Sequence, residues 1–365
     1  MDFGSGHMNN RDAKALDYLV LGAGAIGCYT GGWLARDRTV ALLGRASILD
    51  PLRSHGLELE SVSGSDLSLP AAEFESGPAR PGVVCITESP SALSHCKTIL
   101  VCVKSASTDE AVEQIQKYAS PGATVISLQN GLGAARILKE NLKDYNVLAG
   151  MVTYNVVRTG NHFRQSTSGP LMIELPSDEP KARVARMVHA DMEAAGIEAY
   201  LRPDMENVQW SKLLLNLNNG INALAGVPIR EMLSNRAYRR IIASCMKEAI
   251  HTYKKAGIKL VRLGKILPGI APAVLGLPDF LFFRVASTMI NIDPTAMTSL
   301  AQDLIAGKKT EIDFINGEVV RLARSLGMKA PLNAAVVQLV KEAEEKGSGS
   351  PKMPADAMAR ELGLS

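Results

Sequence analysis

The stretch that decides the fold is DYLVLGAGAIG, residues 17–27. Its first five residues form a short apolar run rich in strand-forming types, and a helix-compatible segment follows the glycines as far as Arg36. The spacing G-x-G-x-x-G allows a tight turn, close approach of the backbone to a pyrophosphate, and close packing of helix on strand. The predicted nucleotide-binding loop comprises Gly22, Ala23, Gly24, Ala25, Ile26 and Gly27.

A basic residue follows the second predicted strand, residues 39–43. In an NAD site the end of this strand carries an acidic residue that bonds the ribose hydroxyls. This chain has Gly44 and Arg45 there, with no carboxylate as far as Ser47. A guanidinium suits a 2′-phosphate, and a charged hydrogen bond of ~1.5–3 kcal/mol favours NADP(H) over NAD(H). The alternative interpretation is a solvated surface arginine.

Further buried-strand candidates recur at TILVCV, residues 98–103, and ATVISL, residues 123–128. Strands that alternate with helical connections are typical of a doubly wound parallel sheet, so the fold class is α/β. Residues 57–86 are punctuated by Gly, Ser and Pro, and we interpret them as an irregular excursion. Residues 147–175 alternate around two glycine turns and predict a hairpin that extends the far edge of the same sheet.

The character of the chain changes beyond Pro203, where helix-compatible segments dominate. We therefore predict a vector remnant and N-terminal extension at 1–15, a nucleotide-binding domain at 16–202, an all-helical domain at 203–346 and a flexible tail at 347–365. The length of 365 residues fits two domains.

Composition excludes several classes of protein. Lys and Arg total 40 against 37 Asp and Glu, without a long basic run, so nucleic acid is not expected as the main partner. The most apolar stretch, residues 266–283, is interrupted by Pro and Gly, which argues against a membrane-spanning helix. Five scattered cysteines without C-x-x-C spacing predict reduced thiols in a cytoplasmic protein and neither a disulfide scaffold nor a metal site.

A polar stripe in the second half indicates chemistry. On a continuous helix, Lys212, Asn216 and Asn219 fall at i, i+4 and i+7 and line one face. A second stripe consists of Ser299, Asp303, Gly307 and Glu311, spaced four apart and predicted to share another helix face. A glycine inside a helix costs ~1 kcal/mol relative to alanine, so we expect that something approaches the backbone of Gly307 closely. The alternative for either stripe is solvated surface.

Several motifs together resemble the ketopantoate reductase (2-dehydropantoate 2-reductase) family. They are GAGAIG at 22–27, Lys104 after the third main strand, QNGLG at 129–133, the W-x-K-L-x-x-N run at 210–216 and KTEIDFING at 309–317. The resemblance covers nearly the whole chain, from Gly22 to about Lys341.

The resemblance implies a Rossmann-type domain followed by a helical domain. It also implies NADPH-dependent reduction of a 2-oxo acid, in this family ketopantoate to D-pantoate in pantothenate biosynthesis. Lys212 matches the proton donor, which stabilises charge on the carbonyl oxygen as hydride arrives. Whether Glu311 orients Lys212 or bonds the cofactor ribose stays open.

Further roles are carried over by position. Lys104, Val156 and Glu311 match cofactor-contacting residues, and Asn130 matches a residue that touches both cofactor and substrate. Lys212, Asn216 and Ser299 match substrate-binding positions.

Two departures bear on the substrate. The family's second asparagine falls at Gly220, and a single deletion would restore Asn219 to that role. The family's substrate-binding asparagine after Pro228 is replaced by Ile229, which leaves open a different 2-oxo acid. A non-catalytic NADP(H)-binding sensor is the alternative from another class. The segment at 266–283 suggests a homodimer interface, a reshaped pocket mouth or simple core packing.

Overall fold

The computed structural model describes residues 15–263, 266–286 and 293–364. The predicted vector remnant at the N-terminus, His7 included, lies outside these residues. The chain divides into two compact units. The first ends at Met205 and omits Gly131–Gly133; the second comprises Gly131–Gly133 and Glu206–Ser365.

The first unit contains two β-sheets. The strands are β1 (Leu16–Leu21), β2 (Val40–Leu43), β3 (Leu57–Glu60), β4 (Asp66–Leu69), β5 (Ala71–Glu73), β6 (Val84–Thr87), β7 (Cys96–Val101), β8 (Thr124–Ser127), β9 (Asn146–Val152), β10 (Val156–Thr159), β11 (His162–Gln165), β12 (Leu171–Glu174) and β13 (Ala199–Arg202). The main sheet has nine strands in the order β13-β12-β9-β8-β7-β1-β2-β6-β5. Its strands pair in parallel except for β9 with β12, which are antiparallel.

Strand β1 lies in the centre of this sheet and is buried on both faces. Tyr18 and Val20 belong to one apolar cluster, whereas Leu19 and Leu21 belong to another on the opposite face. Continuous apolar runs of this kind are typical of parallel strands covered by helices on both sides. The helices of this part of the chain are α1 (Ala25–Ala35), α2 (Ala46–His55), α3 (Thr108–Tyr118), α4 (Gly133–Asn141) and α5 (Glu179–Ala194).

The strand order reverses direction at β1. The chain passes from β1 through α1 to β2 on one side, and later places β7 and β8 on the other side. In doubly wound sheets, ligands bind outside the carboxyl ends of the strands at such a switch point. The predicted α/β fold is confirmed, and the loop at 22–27 lies at this point.

The second sheet corrects two expectations. Its order is β10-β11-β3-β4. Within residues 147–175, β9 and β12 extend the far edge of the main sheet as predicted, whereas the hairpin between them, β10 and β11, joins β3 in the second sheet. Residues 57–86 are likewise regular, because β3 and β4 pair in this sheet while β5 and β6 enter the main one. What joins them to the two sheets is pairing with distant strands, β3 with β11 and β6 with β2, which local pattern does not reveal.

The second unit is helical. Its helices are α6 (Met205–Asn216), α7 (Asn218–Ala225), α8 (Ile229–Ser234), α9 (Arg236–Lys255), α10 (Ala271–Gly276), α11 (Asp279–Val285), α12 (Ser299–Ile305), α13 (Asn316–Ser325), α14 (Pro331–Lys346) and α15 (Ala355–Glu361). The long helix α9 buries a face that includes Ile242, Cys245, Met246 and Ala249 in the unit's own core. No helix of the described residues is long and apolar enough to cross a bilayer.

The chain after Lys346 is not the flexible tail that its composition predicted. Helix α15 buries Met358 completely, and Leu362 is 6% exposed. The Tyr238 hydroxyl donates to the Met353 carbonyl over 2.8 Å, and the Met353 N–H donates to the carbonyl of Leu224 over 2.8 Å. Apolar anchors spaced along a short helix order the segment, because their burial offsets its conformational entropy.

Candidate active site

The three glycines of the loop after β1 meet three different requirements. Gly22 has a φ of +108°, and a Cβ there would lie 2.7 Å from the backbone nitrogen of Val103. A Cβ on Gly27 would lie 2.3 Å from the carbonyl oxygen of Gly22. A Cβ on Gly24 would meet nothing within 4 Å, so its backbone faces open space. Tight turn, open face and close helix–strand packing are the arrangement that a pyrophosphate needs.

The loop continues directly into α1. Gly24 is the N-cap residue, without a capping side chain, and the first turn of α1 carries no acidic residue. The first N–H groups of the helix therefore carry partial positive charge without a carboxylate to neutralise it. Together with the open face of Gly24, this start of α1 fits a phosphate group.

Arg45 stands at the end of β2, where the sequence predicted it. A Cβ on Gly44 would lie 2.5 Å from the Cβ of Ala23, so this glycine lets the end of β2 pack against the glycine loop. Arg45 is the N-cap residue of α2 and its side chain is exposed. Among the described residues, no ion pair or hydrogen bond of its guanidinium is seen.

Two further loops at the same sheet edge carry Lys104 and Asn130. A buried hydrogen-bond network supports both loops: Gln129 Nε2 donates to Thr108 Oγ1 over 2.9 Å, and Thr108 Oγ1 donates to the Ser105 carbonyl over 2.8 Å. The Ser105 hydroxyl donates to the Asn130 carbonyl over 3.3 Å. Lys104 and Asn130 are exposed at the ends of this network.

Sequence reasoning missed Gln129 and Thr108 as supports of the predicted site residues. The available signal is a glutamine directly after an apolar strand, where burial requires partners.

The first unit therefore gathers most of its predicted cofactor residues at one edge. The glycine loop follows β1, Arg45 follows β2, Lys104 follows β7 and Asn130 follows β8. Val156 begins β10 in the second sheet and is partly buried against the same apolar cluster as Ala23 and Cys28. Carboxyl ends of neighbouring parallel strands meet at one edge, so loops far apart in sequence become neighbours.

Lys212 lies on α6 in the helical unit. The opposite face of α6 is anchored by Leu214, fully buried, and by Trp210, whose ring packs 4.9 Å from that of Tyr253. Lys212 is partly exposed, yet the surrounding protein desolvates its ammonium group and lowers its pKa to about 8. Loss of hydration disfavours the charged form of a lysine.

The amide stripe beside Lys212 is divided between two helices. Asn216 lies one turn beyond Lys212 as predicted, but α6 ends there and α7 begins at Asn218. At the break, the Leu217 N–H donates to the carbonyl of Leu214, three residues earlier, over 3.4 Å. The prediction of a single continuous helix through Asn219 was wrong.

Gly220 explains the first departure from the family pattern. A Cβ there would lie 2.7 Å from Cγ1 of Val336 and 3.1 Å from Oδ1 of Asn316. A side chain as large as asparagine does not fit between α7 and these neighbours without a shift of the helices. Asn219, in contrast, is partly exposed, which agrees with the deletion that assigns the amide role to it.

The second stripe is not one helix face. Helix α12 begins at Ser299 and ends at Ile305, and Gly307 has a φ of +67° beyond the helix end. A Cβ on Gly307 would meet nothing within 4 Å among the described residues, so its positive φ, and not a neighbouring part of the chain, accounts for this glycine. Its left-handed conformation terminates the helix. Glu311 follows in a separate turn before the short 3₁₀ helix Ile312–Phe314.

The start of α12 is held by a residue that the sequence did not single out. Asn222 of α7 is fully buried, and its Oδ1 accepts hydrogen bonds from the N–H and the hydroxyl of Thr298, both over 3.0 Å. Its Nδ2 donates to the Val227 carbonyl over 2.8 Å, next to Pro228 and Ile229. One amide thus connects the turn before Ile229 with the residue before Ser299.

Comparison with known proteins agrees with this architecture. The family described as ketopantoate reductase PanE/ApbA matches residues 18–177, and its C-terminal counterpart matches residues 204–344. The chain belongs to the ketopantoate reductase family.

Individual relatives cover nearly the whole chain. A 2-dehydropantoate 2-reductase of Halobacterium salinarum is 28% identical over 333 residues, which are 90% of this chain and 99% of that protein. One from Pyrococcus horikoshii is 28% identical over 91% of this chain and 98% of that protein. The crystal structure of a ketopantoate reductase from Ralstonia eutropha JMP134 is 29% identical and has a TM-score of 0.75, with 91% of this chain and 99% of that chain covered.

The fold extends to another dehydrogenase. A ternary structure of D-mandelate dehydrogenase with NADH and anilino(oxo)acetate has a TM-score of 0.69 at 19% identity, a likeness of fold alone, with 91% of this chain and 99% of that chain covered. Membership in the ketopantoate reductase family makes this chain an oxidoreductase that acts on CH–OH groups and uses a nicotinamide cofactor.

Proposed function

We propose that this protein reduces a 2-oxo acid with NADPH, and that its substrate is 2-dehydropantoate, reduced to D-pantoate in pantothenate biosynthesis. The observation that carries the proposal is Lys212, a desolvated ammonium with a pKa near 8 on the same helix as Asn216. A cation poised close to neutral pH beside neutral amides suits proton donation to an anionic substrate.

The nicotinamide cofactor supplies a hydride when it is bound. The open backbone of Gly24 and the start of α1 would hold its pyrophosphate. Arg45 would pair with a 2′-phosphate, because no carboxylate stands at the end of β2 to bond a free ribose hydroxyl. Lys104, Asn130, Val156 and Glu311 would contact the rest of the cofactor, the last through its ribose or by orienting Lys212.

Lys212 acts on the carbonyl oxygen of the substrate. As that oxygen gains negative charge, the ammonium group stabilises it and then transfers a proton to it. Reduction thus converts the 2-oxo group to a 2-hydroxy group, and the neutral lysine regains its proton from solvent. A pKa of about 8 makes the ammonium a stronger acid than an ordinary lysine while it stays largely protonated at neutral pH.

The amides and one hydroxyl bind the substrate without adding charge. Asn216, Asn219 and Ser299 can donate hydrogen bonds to the substrate carboxylate. Asn130 serves both substrate and cofactor in this proposal. Ile229 is apolar where the family has an asparagine. The second candidate substrate is therefore a 2-oxo acid with an apolar side chain.

A panel of 2-oxo acids tests the proposal. NADPH oxidation is followed at 340 nm with ketopantoate, 2-oxoisovalerate, pyruvate and phenylglyoxylate, each under the same conditions. We expect the largest kcat/KM with ketopantoate, whereas a larger value with 2-oxoisovalerate or phenylglyoxylate would select the second candidate. Tight NADPH binding without oxidation by any member of the panel would contradict the proposed class of substrate.

We also propose that the protein forms a homodimer through an apolar surface on α11 and the segment before α10. This surface consists of Ile266, Leu267, Ile270, Phe280, Leu281, Phe283 and Val285, each 36–74% exposed. At roughly 100 Å² each, they offer on the order of 700 Å², close to the ~800 Å² that one partner contributes to a standard interface. The alternative of simple core packing does not explain Phe280, which is 74% exposed.

A location in the cytoplasm stays a prediction. None of the five cysteines, all of which lie among the described residues, forms a disulfide bond, and Cys28, Cys85, Cys96 and Cys245 are buried. Unpaired thiols are typical of reducing compartments.

A further inference from the structure

Arg158 connects the second sheet of the first unit to the start of α2. It lies on β10, and its Nη2 donates to the carbonyl oxygen of Ser47 over 3.2 Å. Its Nε donates to the Gly160 carbonyl over 2.9 Å, and its guanidinium lies 5.8 Å from the ring centroid of the buried Phe163. The guanidinium is therefore held beside the first turn of α2, which Arg45 begins.

Proline chemistry explains why the Ser47 carbonyl receives this bond. In an α-helix, that carbonyl would accept from the N–H of residue 51, four residues later. Residue 51 is a proline inside α2 and has no N–H. The Ser47 carbonyl therefore has no partner within α2 and instead accepts a hydrogen bond from Arg158 of β10. This bond places the guanidinium of Arg158 beside a residue two positions from Arg45.

Arg158 also acts electrostatically on α1, the helix that follows the glycine loop. Burial raises the pKa of the Cys28 thiol, in the first turns of α1, to about 12, and the positive charge of Arg158 partly offsets this effect. Arg158 is thus within electrostatic range of the start of α1 as well as beside the start of α2. A phosphate bound by Arg45 and by the N-termini of α1 and α2 would also be attracted by the positive charge of Arg158.

We propose that Arg158 is a second determinant of cofactor specificity, whose charge acts with Arg45 on the 2′-phosphate of NADPH. The inference rests on the proposed function only in its choice of NADPH. Two of the five guanidinium N–H groups are used by the Ser47 and Gly160 carbonyls, and among the described residues no other hydrogen-bond acceptor is seen for the remainder. They are available for a charge-assisted bond to a phosphate.

Binding of the two cofactors to the full chain provides the test. Dissociation constants for NADPH and NADH are measured by calorimetry with wild type, Arg158→Met and Arg158→Gln. We expect both variants to bind NADPH about tenfold more weakly and NADH within about twofold of wild type. Arg45→Ala serves as positive control and should shift the same ratio.

The glutamine variant separates charge from structure, because its amide can still donate to the Ser47 carbonyl. If Arg158→Gln binds NADPH as wild type does, Arg158 only supports α2 and the proposal is overturned. Equal weakening of NADPH and NADH in both variants would also overturn it. Unchanged NADH binding shows that the first unit is folded, so loss of structure does not imitate the expected result.

Arg164→Met is the matched control. Arg164 belongs to the same hairpin but pairs with Val157, whereas Arg158 pairs with Phe163. Neighbouring residues of a strand face opposite sides of the sheet, so Arg164 and Arg158 lie on opposite faces of the hairpin. Arg164→Met therefore removes an equal charge from the face that does not carry Arg158. It should leave the NADPH-to-NADH ratio within twofold of wild type. If the wild-type protein binds NADH more tightly than NADPH, the proposed cofactor is wrong. If instead both Arg158 variants keep the wild-type preference for NADPH, only the role of Arg158 is wrong, so the two failures can be told apart.

Discussion

Lys212 is a residue whose proposed role in catalysis is expected to lower the stability of the fold. Its ammonium is desolvated in the folded protein, so folding must overcome part of the cost of removing a charge from water. Burying an unbranched apolar side chain on α6 would avoid this cost. Active sites commonly hold such groups, and the exchange of stability for activity is general.

Replacement of Lys212 by Met tests both sides of this exchange. We expect Lys212→Met to lower kcat by about a thousandfold, because proton donation and charge stabilisation are both lost. NADPH affinity should stay within a few-fold of wild type. The free energy of unfolding in urea should rise by about 1–2 kcal/mol, because the desolvation cost is removed. Full activity in this variant would contradict the assigned role.

The pH dependence of turnover follows from the same group. The protonated form of Lys212 is the acid, and its pKa is lowered to about 8. We therefore expect kcat for reduction to be level below that pH and to fall about tenfold per pH unit above it. Oxidation of the 2-hydroxy acid needs the neutral lysine and should rise through the same range.

Stability has its own dependence on this lysine. Between pH 8 and its unfolded value near 10.4, the unfolded chain binds the proton that the folded chain has released. The Lys212 contribution to the free energy of unfolding should therefore increase with pH in this window. A difference between wild type and Lys212→Met that does not narrow as pH rises from 8 to 10 would argue against desolvation as the cause.

At the scale of the elements, helix α7 depends on close contacts with residues that are distant in the sequence. Gly220 allows it to pack against Val336 and Asn316, while Asn222 holds the beginning of α12. Local sequence pattern predicts helix for this run but gives no reason for a glycine within it. The reason is the proximity of a helix more than a hundred residues later in the chain.

The hydrogen bonds of Asn222 can be removed without changing the volume of the side chain greatly. We expect Asn222→Leu to lower the free energy of unfolding by about 2–3 kcal/mol, because the buried N–H of Thr298 and the Val227 carbonyl lose their partner. Urea denaturation gives this value. Thr252→Val is a suitable comparison, since it removes a single hydroxyl that donates to the Glu248 carbonyl within α9. A loss no larger than that of Thr252→Val would show that the bonds contribute little.

Helix α11 is unusual among the elements because it turns most of its apolar residues outward. Phe282 is the buried anchor, and the guanidinium of Arg239 lies 4.1 Å from its ring centroid. Arg239 is itself fully buried and is paired with Asp279 over 2.7 Å. The helix is thus held firmly while its other apolar side chains face outward.

At the scale of the whole molecule, this surface predicts an assembly. Wild type should sediment with twice the mass of the chain at micromolar concentration, and Val285→Asp should sediment as a monomer, because a buried unpaired carboxylate is costly. Val62→Asp makes the same substitution at a comparably exposed valine of the first unit, 52% against 57%, and should stay a dimer. A monomeric wild type, or a dimer that Val285→Asp leaves intact, would refute this interface.

The sequence by itself determined the α/β class, the glycine loop and the candidate residues Arg45, Lys212 and Glu311. Strand periodicity, glycine spacing and motif identity are local properties, so they can be read without coordinates. The same local patterns misplaced β10 and β11, the second polar stripe and the tail. For β10, β11 and the tail the deciding partner lies elsewhere in the chain, whereas the helix of the second stripe ends locally, at the left-handed Gly307.

Only the tertiary structure decided how distant groups combine. It brought the loops after β1, β2, β7 and β8 to one sheet edge, lowered the pKa of Lys212 through burial, and drew Arg158 to the carbonyl that Pro51 leaves unpaired. The physical reason is common to all three. Desolvation and hydrogen-bond pairing depend on every neighbour in space, whereas a sequence pattern records only neighbours along the chain.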